Sequence, residues 1–518
     1  MKRRPFSRRK FLQTAATATG ALAARAGAGE PAPAKPKRNV IVIVSDTMRR
    51  DALGCYGGDW IQTPFLDAFA RRAIRCDNAY LCSFPTVPTR HDLLTGRYTF
   101  TYKPWSPLDA DTVTLQDVLR ANDVYTSLIV DTPHPFRPEY DYQRRFDHAQ
   151  VNRGQENDAF KTEPVPVQMP CEPRKLRGGE AVVTQYLRNV ADRKVEEDYF
   201  CARTCRDAAT WLERNHRRQP FFLYVDTFDP HEPWDPPKAY VDKYDPDYSG
   251  QDVIYPRYAR WRDFLSDDEL KHCRALYAGE ASLVDRWVGH LLETIEKLGL
   301  LENSLVVFLA DHGFYLGEHG YIGKAYIADG KFQSLPLYGE VCRVPFLVHF
   351  PGCAAGGSID ALVQHVSLAR TISDFLGLRD VPDAFQGPSL WPVLQGHEEQ
   401  ATPIAISSPN LSHAGMKQPH PANRASIADG RWLLIYGSAG SGDPSDTTAS
   451  VDSSQREVAP LTGEKLAPEL YDLKSDPGCA TNVIAGHKEV AGELHARFVE
   501  FLERSPMRRD HLAYFQKI

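Results

Sequence analysis

The run Thr86-Val-Pro-Thr-Arg-His-Asp-Leu-Leu-Thr-Gly-Arg97 gathers residues that can do chemistry. Pro88 fits just inside a helix start and Gly96 just past a helix end. That places the Thr86 hydroxyl at a helix N-terminus, where free N–H groups and the dipole favour an anion and stabilise an alkoxide. Arg90 lies one turn further in, so its guanidinium can reach back to the same spot. Taken alone, the run is better read as a capped surface helix, with Thr86 as cap and Arg90 in water. A second group stands apart from it in sequence: Asp46, Asp311 and His312 each follow directly on an apolar run.

Those apolar runs are the elements that must position the chemistry. Asn39-Val-Ile-Val-Ile-Val-Ser-Asp46 holds five consecutive apolar residues, mostly β-branched, and reads as a strand buried on both faces. Ser304-Leu-Val-Val-Phe-Leu-Ala-Asp311 and Pro220-Phe-Phe-Leu-Tyr-Val-Asp226 repeat the pattern. Helical patterns lie between, notably from Ala278 to Leu300. Strands alternating with helices predict an α/β fold, a largely parallel sheet sandwiched by helices. Ligands of such sheets bind beyond the carboxyl ends of the strands, which is where Asp46, Asp311 and His312 fall. A boundary is predicted near Gly396–Glu398, after which residues 397–518 read as a smaller α+β subdomain. Its strand is Arg431–Tyr436 and its helix Val490–Leu502. Gly437 to Ser454 reads as a loop, and no internal repeat is present.

The Thr86–Arg97 run resembles the sulfatase signature, in which a Cys or Ser stands two residues before Pro and four before Arg, followed by Leu-Thr-Gly-Arg. The resemblance continues in Val44-Ser-Asp46, Asp51–Gly57, Pro230-His231-Glu-Pro233, Asp311–Gly320 and Gly323-Lys324. Leu337–Pro345, Glu469–Leu473 and Asp476-Pro477 complete it, in family order along residues 39–396 and beyond. It implies the alkaline-phosphatase-like fold, matching the sheet read from the strands. Carried over by position, it implies one divalent cation on Asp46, Asp311 and His312, with the Thr86 oxygen beside it. Two carboxylates and an imidazole suit Ca²⁺, Mn²⁺ or Mg²⁺. Arg90, Lys324 and His231 would hold the anionic group, with His231 or Lys324 protonating the departing oxygen. His134, in Asp131-Thr-Pro-His134, stands roughly where the family has a substrate-binding Lys-x-His pair.

Two positions depart from the family pattern. Its second Asp, directly after the first, is Thr47 here. Typical sulfatases oxidise the signature Cys or Ser to formylglycine, whereas this chain has Thr86, and Cys82 is not spaced to replace it. An unmodified Thr forms an ordinary alkyl ester that water must cleave at the heteroatom, as phosphoryl enzymes of the superfamily do. The resemblance therefore implies hydrolysis of sulfate or of phosphate and phosphonate esters through Thr86. A sulfatase working without formylglycine is the near alternative. A catalytically inactive relative that binds sulfated or phosphorylated glycans is the distant one, and it predicts loss of site residues that are all present. Loop 150–175, with Arg153-Gly-Gln-Glu156, is a candidate for selecting the alcohol, although a solvated loop is the stronger reading of it.

The bulk properties bound the rest. With 518 residues, 42% hydrophobic and 25% charged, the chain has ordinary globular composition. A net charge of −6 gives no reason to expect nucleic acid as a partner, and no apolar run is long enough to span a bilayer. Ser7-Arg8-Arg9-Lys10-Phe11-Leu12, ahead of an Ala/Thr/Gly run to Gly29, predicts a twin-arginine signal over residues 1–29 and a periplasmic or secreted enzyme. The competing reading is a disordered basic tail. Losing that segment would remove seven basic residues and take the charge from −6 to −13, so any positive potential must be local. Residues 30–38 read as a linker. The ten cysteines show no paired zinc spacing and read mostly as small apolar fillers.

Overall fold

Eight strands form the main sheet, labelled in chain order: β1 Asn39–Ser45, β2 Ile74–Tyr80, β3 Tyr125–Val130, β4 His148–Val151, β5 Phe221–Thr227, β6 Ser304–Ala310, β7 Phe346–His349 and β8 Ser358–Gln364. The computed structural model describes residues 37–328, 331–439 and 466–518. The expected export segment, most of the linker and most of the Gly437–Ser454 loop lie outside them. Residues 37–518 form one compact unit.

The spatial order is β8-β2-β7-β6-β1-β5-β3-β4. Only β7 runs against the others: it pairs antiparallel with β2 and β6, while the remaining neighbours are parallel. Every residue of β1, β5 and β6 is buried. Because alternate side chains point to opposite faces of a strand, burial along the whole length means that both faces are covered. The expected mixed, largely parallel sheet is present, and the three apolar runs are its adjacent central strands.

The long helix Asp267–Lys297 starts about three turns before Ala278, where the sequence pattern reads as helix. A capping box explains the early start: Ser266 accepts from the Glu269 backbone N–H, and the Glu269 side chain accepts from the Ser266 N–H. The helix packs on Phe200–Asn215, which in turn lies on β5 and β3.

The C-terminal part is a four-stranded antiparallel sheet of Ala405–Ser407, Ala425–Ala428, Trp432–Tyr436 and Glu469–Asp472. Helix Lys488–Arg504 packs against its two middle strands. Their apolar cluster, with Ile406, Ile427, Leu434, Leu494 and Phe498, also takes in Cys82, Tyr98, Phe100 and Val366. All ten cysteines are unpaired, eight of them buried. Among the described residues no helix is long and apolar enough to cross a membrane.

Candidate functional site

Register brings the acidic residues together. Ser45 stands opposite Ala310 on one side and Thr227 on the other. Asp46 and Asp311 therefore follow directly on two adjacent parallel strands, and Asp226 is the last residue but one of the third, β5, at the same edge of a sheet whose strands lie about 4.8 Å apart. The backbone holds that alignment past the strand ends: the Asp46 N–H donates to the Thr227 carbonyl at 2.9 Å and the Asp311 N–H to Ser45 at 3.3 Å.

Helix Thr86–Thr95 faces this edge, and all ten of its residues are buried. Pro85 takes the cap position and Thr86 opens the helix, with Gly96 closing it at φ +61°. Asp92 ties the helix to its surroundings by accepting from the N–H groups of Ser83 at 2.7 Å and Thr99 at 2.9 Å. The surface-helix reading is thus overturned: a polar sequence lies wholly inside because most of its polar groups find partners, His91 Nε2 being the exception.

Arg90 is the hub. Its Nε and Nη2 donate to Asp226 at 3.1 and 2.8 Å, and its Nη1 donates to Asp46 at 3.0 Å and also to Asp311. The same Nη1 lies 3.5 Å from the Thr86 carbonyl oxygen. All four side chains are fully buried. Despite burial, the three carboxylates hold the Arg90 guanidinium well above its ordinary range. Arg90 is absent from the cavity wall, so its contact is with the carboxylates and the helix mouth. Asp226 escaped the sequence reading of the site, although it ends its apolar run as Asp46 and Asp311 end theirs.

Three carboxylates against one guanidinium leave buried negative charge unbalanced. Asp46 Oδ1 and His312 Nε2 have no hydrogen-bond partner although fully buried, and they lie 3.9 Å apart. Asp311 Oδ2 is 3.4 Å from the same nitrogen. The His312 Nδ1 faces the Gly313 carbonyl at 3.0 Å, which fixes Nδ1 as the donor and turns the Nε2 lone pair inward. Burial and then Asp311 push the Asp46 carboxyl well above its usual range, while burial lowers His312 to about 3. Orphaned lone pairs converging in an anionic, desolvated spot are the donor set a cation requires. Asp46, Asp311 and His312 fit a metal ion. The Thr47 side-chain oxygen is likewise buried and unpartnered, while its N–H donates to Asp311 at 2.9 Å.

Above this spot lies a cavity of about 280 Å³, with Thr86, His134, His231 and Lys324 on its wall. Lys324 Nζ donates to Thr86 Oγ1 at 3.4 Å and to His231 Nε2 at 2.9 Å. The His231 Nδ1 faces the Glu232 carbonyl at 2.6 Å, leaving Nε2 as acceptor. Burial and then the Lys324 charge drive His231 well below its ordinary pKa, so the ring is neutral. His134 stacks edge-on between Trp105 and Phe228, and its Nε2 is 2.8 Å from Glu156. Glu156 also accepts from Arg177 and from the Tyr255 hydroxyl, each at 2.9 Å. The solvated-loop reading of this stretch holds for Arg153, which is exposed, and fails for Glu156, which is buried on the cavity wall. No local pattern marks the difference, because the partners of Glu156 come from distant segments.

Residues 38–378 match the family model described as Sulfatase. The chain belongs to the sulfatase family. It is accordingly an ester hydrolase of that family, as the signature around Thr86 implied. It is 25% identical over 448 residues to an N-acetylglucosamine-6-O-sulfatase of Bacteroides thetaiotaomicron, covering 71% of this chain and 73% of the relative. An ulvan-active sulfatase of Formosa agariphila is 26% identical over 403 residues, covering 74% and 72%. The phosphonate monoester hydrolase of Agrobacterium radiobacter shares the fold, with a TM-score of 0.62 and 20% identity over 90% of this chain and 95% of that one. The sulfatase sheet and its small C-terminal antiparallel sheet are thus shared across enzymes of different ester chemistry.

Proposed function

We propose that this sulfatase-family enzyme hydrolyses a sulfuric ester, or a phosphoric or phosphonic ester, by transferring the sulfuryl, phosphoryl or phosphonyl group to unmodified Thr86 and then to water. One observation carries the reading. The Thr86 hydroxyl opens a buried helix and takes a hydrogen bond from Lys324 at 3.4 Å, on the wall of the same cavity as His231. A divalent cation on Asp46, Asp311 and His312, with the Thr86 oxygen beside it, would polarise the ester and lower the pKa of the hydroxyl. Ca²⁺, Mn²⁺ and Mg²⁺ all suit that set.

The remaining work belongs to the chain. The helix N-terminus and the Lys324 ammonium stabilise charge on Thr86 Oγ1 as it attacks sulfur or phosphorus. Its proton passes through Lys324 to the neutral His231 Nε2. The bond to the alcohol oxygen breaks, and the alcohol departs with a proton returned by the Lys324–His231 pair. Water then attacks the same sulfur or phosphorus, freeing Thr86 and the inorganic anion or phosphonate. Arg90 keeps Asp46 and Asp311 in place, and its charge favours their ionised forms against the burial that opposes them. His134 serves as a wall of the substrate cavity, held by Glu156. The twin-arginine motif supports export to the periplasm or medium, and the relatives' names support a sulfated glycan or small anionic ester as substrate.

The test is intact-mass analysis after brief exposure to aryl sulfate, phosphate monoester and phosphonate monoester. A sulfate-, phosphate- or phosphonate-sized adduct on the peptide bearing Thr86 is expected, and its identity names the heteroatom. Turnover with full activity after exhaustive chelation, or an aldehyde mass at residue 86, would overturn the mechanism.

A further inference from the structure

Three cationic side chains line the cavity: Lys324, Arg177 and Arg137. Two are already committed. Lys324 donates to Thr86 and His231. Arg177 is held by Glu156 at 2.9 Å and Glu232 at 2.7 Å, and it stacks on Tyr255 and Tyr258. Arg137 differs. Among the described residues its guanidinium has no carboxylate partner, no hydrogen-bond acceptor and no aromatic face, although it is half-buried on the cavity wall. None of its nitrogens is among the buried unpartnered polar atoms, so the fork stays open to the cavity and is free to receive an anionic group there.

Its neighbourhood indicates what that is. Trp105 is on the same wall, half-buried, and touches His134 with ring centroids 5.4 Å apart. His134 leads through Phe228 to His231, whose rings stack at 3.9 Å, and so to Lys324 and Thr86. Phe228 lies behind this wall, and Phe84, Tyr255 and Phe332 join Trp105 on the cavity surface itself, with Arg137 as its uncommitted charge. Aromatic faces pack on the C–H face of a sugar ring, and a planar guanidinium fork matches the oxygens of sulfate or carboxylate.

We infer that Arg137 and Trp105 form a substrate subsite that binds a second oxyanion, a sulfate or a uronate carboxylate, on the sugar whose ester is cleaved at Thr86. The inference rests on the proposed hydrolase reading and deepens it, making a dianionic saccharide the preferred substrate class. A hydrogen bond to a charged group contributes roughly 1.5–3 kcal/mol, which is about 10–100-fold in kcat/KM.

The test compares kcat/KM for N-acetylglucosamine 6-sulfate with that for disulfated glucosamines and for the 6-sulfated hexosamine linked to a uronate. In the parent enzyme at least one dianionic probe is expected to exceed the monoanionic one by about 10-fold or more, through KM. Arg137→Gln should collapse that ratio and Arg137→Lys should restore part of it. Trp105→Ala should weaken both probe types alike, because stacking does not depend on the second charge. A ratio near one in the parent, or a ratio unchanged by Arg137→Gln, overturns the subsite; a merely structural role would lower both rates and leave the ratio intact. If no probe is turned over, the hydrolase reading fails on that set. Calorimetric binding of the same probes to the parent and to Arg137→Gln then decides the subsite separately: Arg137-dependent preference for a dianion supports it, and equal binding overturns it.

Discussion

Asp46, Asp226 and Asp311 surround one guanidinium in a fully buried cluster, and the consequences of removing single groups follow from that imbalance. Arg90→Met leaves three buried carboxylates without their cation, and breaking a buried pair in this way costs about 3–5 kcal/mol. Chemical denaturation should show that loss, and an unchanged midpoint would mean that Arg90 is dispensable to the cluster. Asp311→Asn keeps the volume but removes an anionic donor, so metal content after desalting should fall from about one ion per chain to near zero. Thr86→Ala should lower kcat by at least about 10³-fold, as loss of a nucleophile does, whereas Thr86→Ser should keep the covalent route. His91, in the same helix, supplies a pH signature. Burial lowers it from 6.5 to about 3, and its Nδ1 lies 2.8 Å from the Thr99 hydroxyl. The folded chain keeps it neutral while the unfolded chain protonates it below about 6.5. Its contribution is thus fully present above that pH and is lost as pH falls, by at most about 1.4 kcal/mol per unit. Urea midpoints between pH 7 and 4.5 should fall more steeply for the parent than for His91→Gln.

At the scale of elements, what the sequence revealed depended on whether the information was local. The central strands β1, β5 and β6 were legible because burial on both faces demands unbroken apolar runs. Their terminal acids were legible as strand-end residues, yet the pairing of Asp226 with Arg90 required knowing that β5 is β1's neighbour. Glu156 was misread because nothing local distinguishes a buried loop carboxylate from a solvated one. Helix Thr86–Thr95 was placed correctly, but its burial depends on Asp92 reaching Ser83 and Thr99. The segment after β6 shows the same dependence. A Cβ on Gly313 would stand 1.8 Å from the Glu340 carbonyl oxygen, so only glycine lets this backbone pass. Gly313→Ala must push the residues after β6 away from Glu340, and His312 moves with them. The expected result is destabilisation by about 1–3 kcal/mol with weakened metal binding, both in one variant. Calorimetry with and without Mn²⁺ measures both, and a native-like metal affinity would show that the strand end tolerates the shift.

The whole molecule ties the catalytic sheet to the C-terminal one at the site itself. The Phe84 N–H donates to the Ser408 carbonyl at 2.9 Å and Ser408 N–H to Cys82 at 2.8 Å, a few residues before the helix that carries Thr86. The Leu411 N–H donates to Phe100 at 2.8 Å, and Pro409 and Asn410 line the cavity at Thr86. Cys82, Tyr98, Phe100 and Val366 have their apolar partners in the C-terminal cluster. A chain ending at residue 396 would therefore expose a ready-made apolar face, and fully exposing each large apolar side chain costs about 1.5–3 kcal/mol. It would also leave the strand-like segment at Ser83 without its partner. The two sheets should then unfold together, in one transition followed equally by near-ultraviolet dichroism and by loss of turnover. The truncated chain should be insoluble or molten, with no activity on any ester. Two separable transitions, or a soluble active fragment of residues 37–396, would instead make the C-terminal sheet an independent appendage, and the wall at Asn410 would have to form without it.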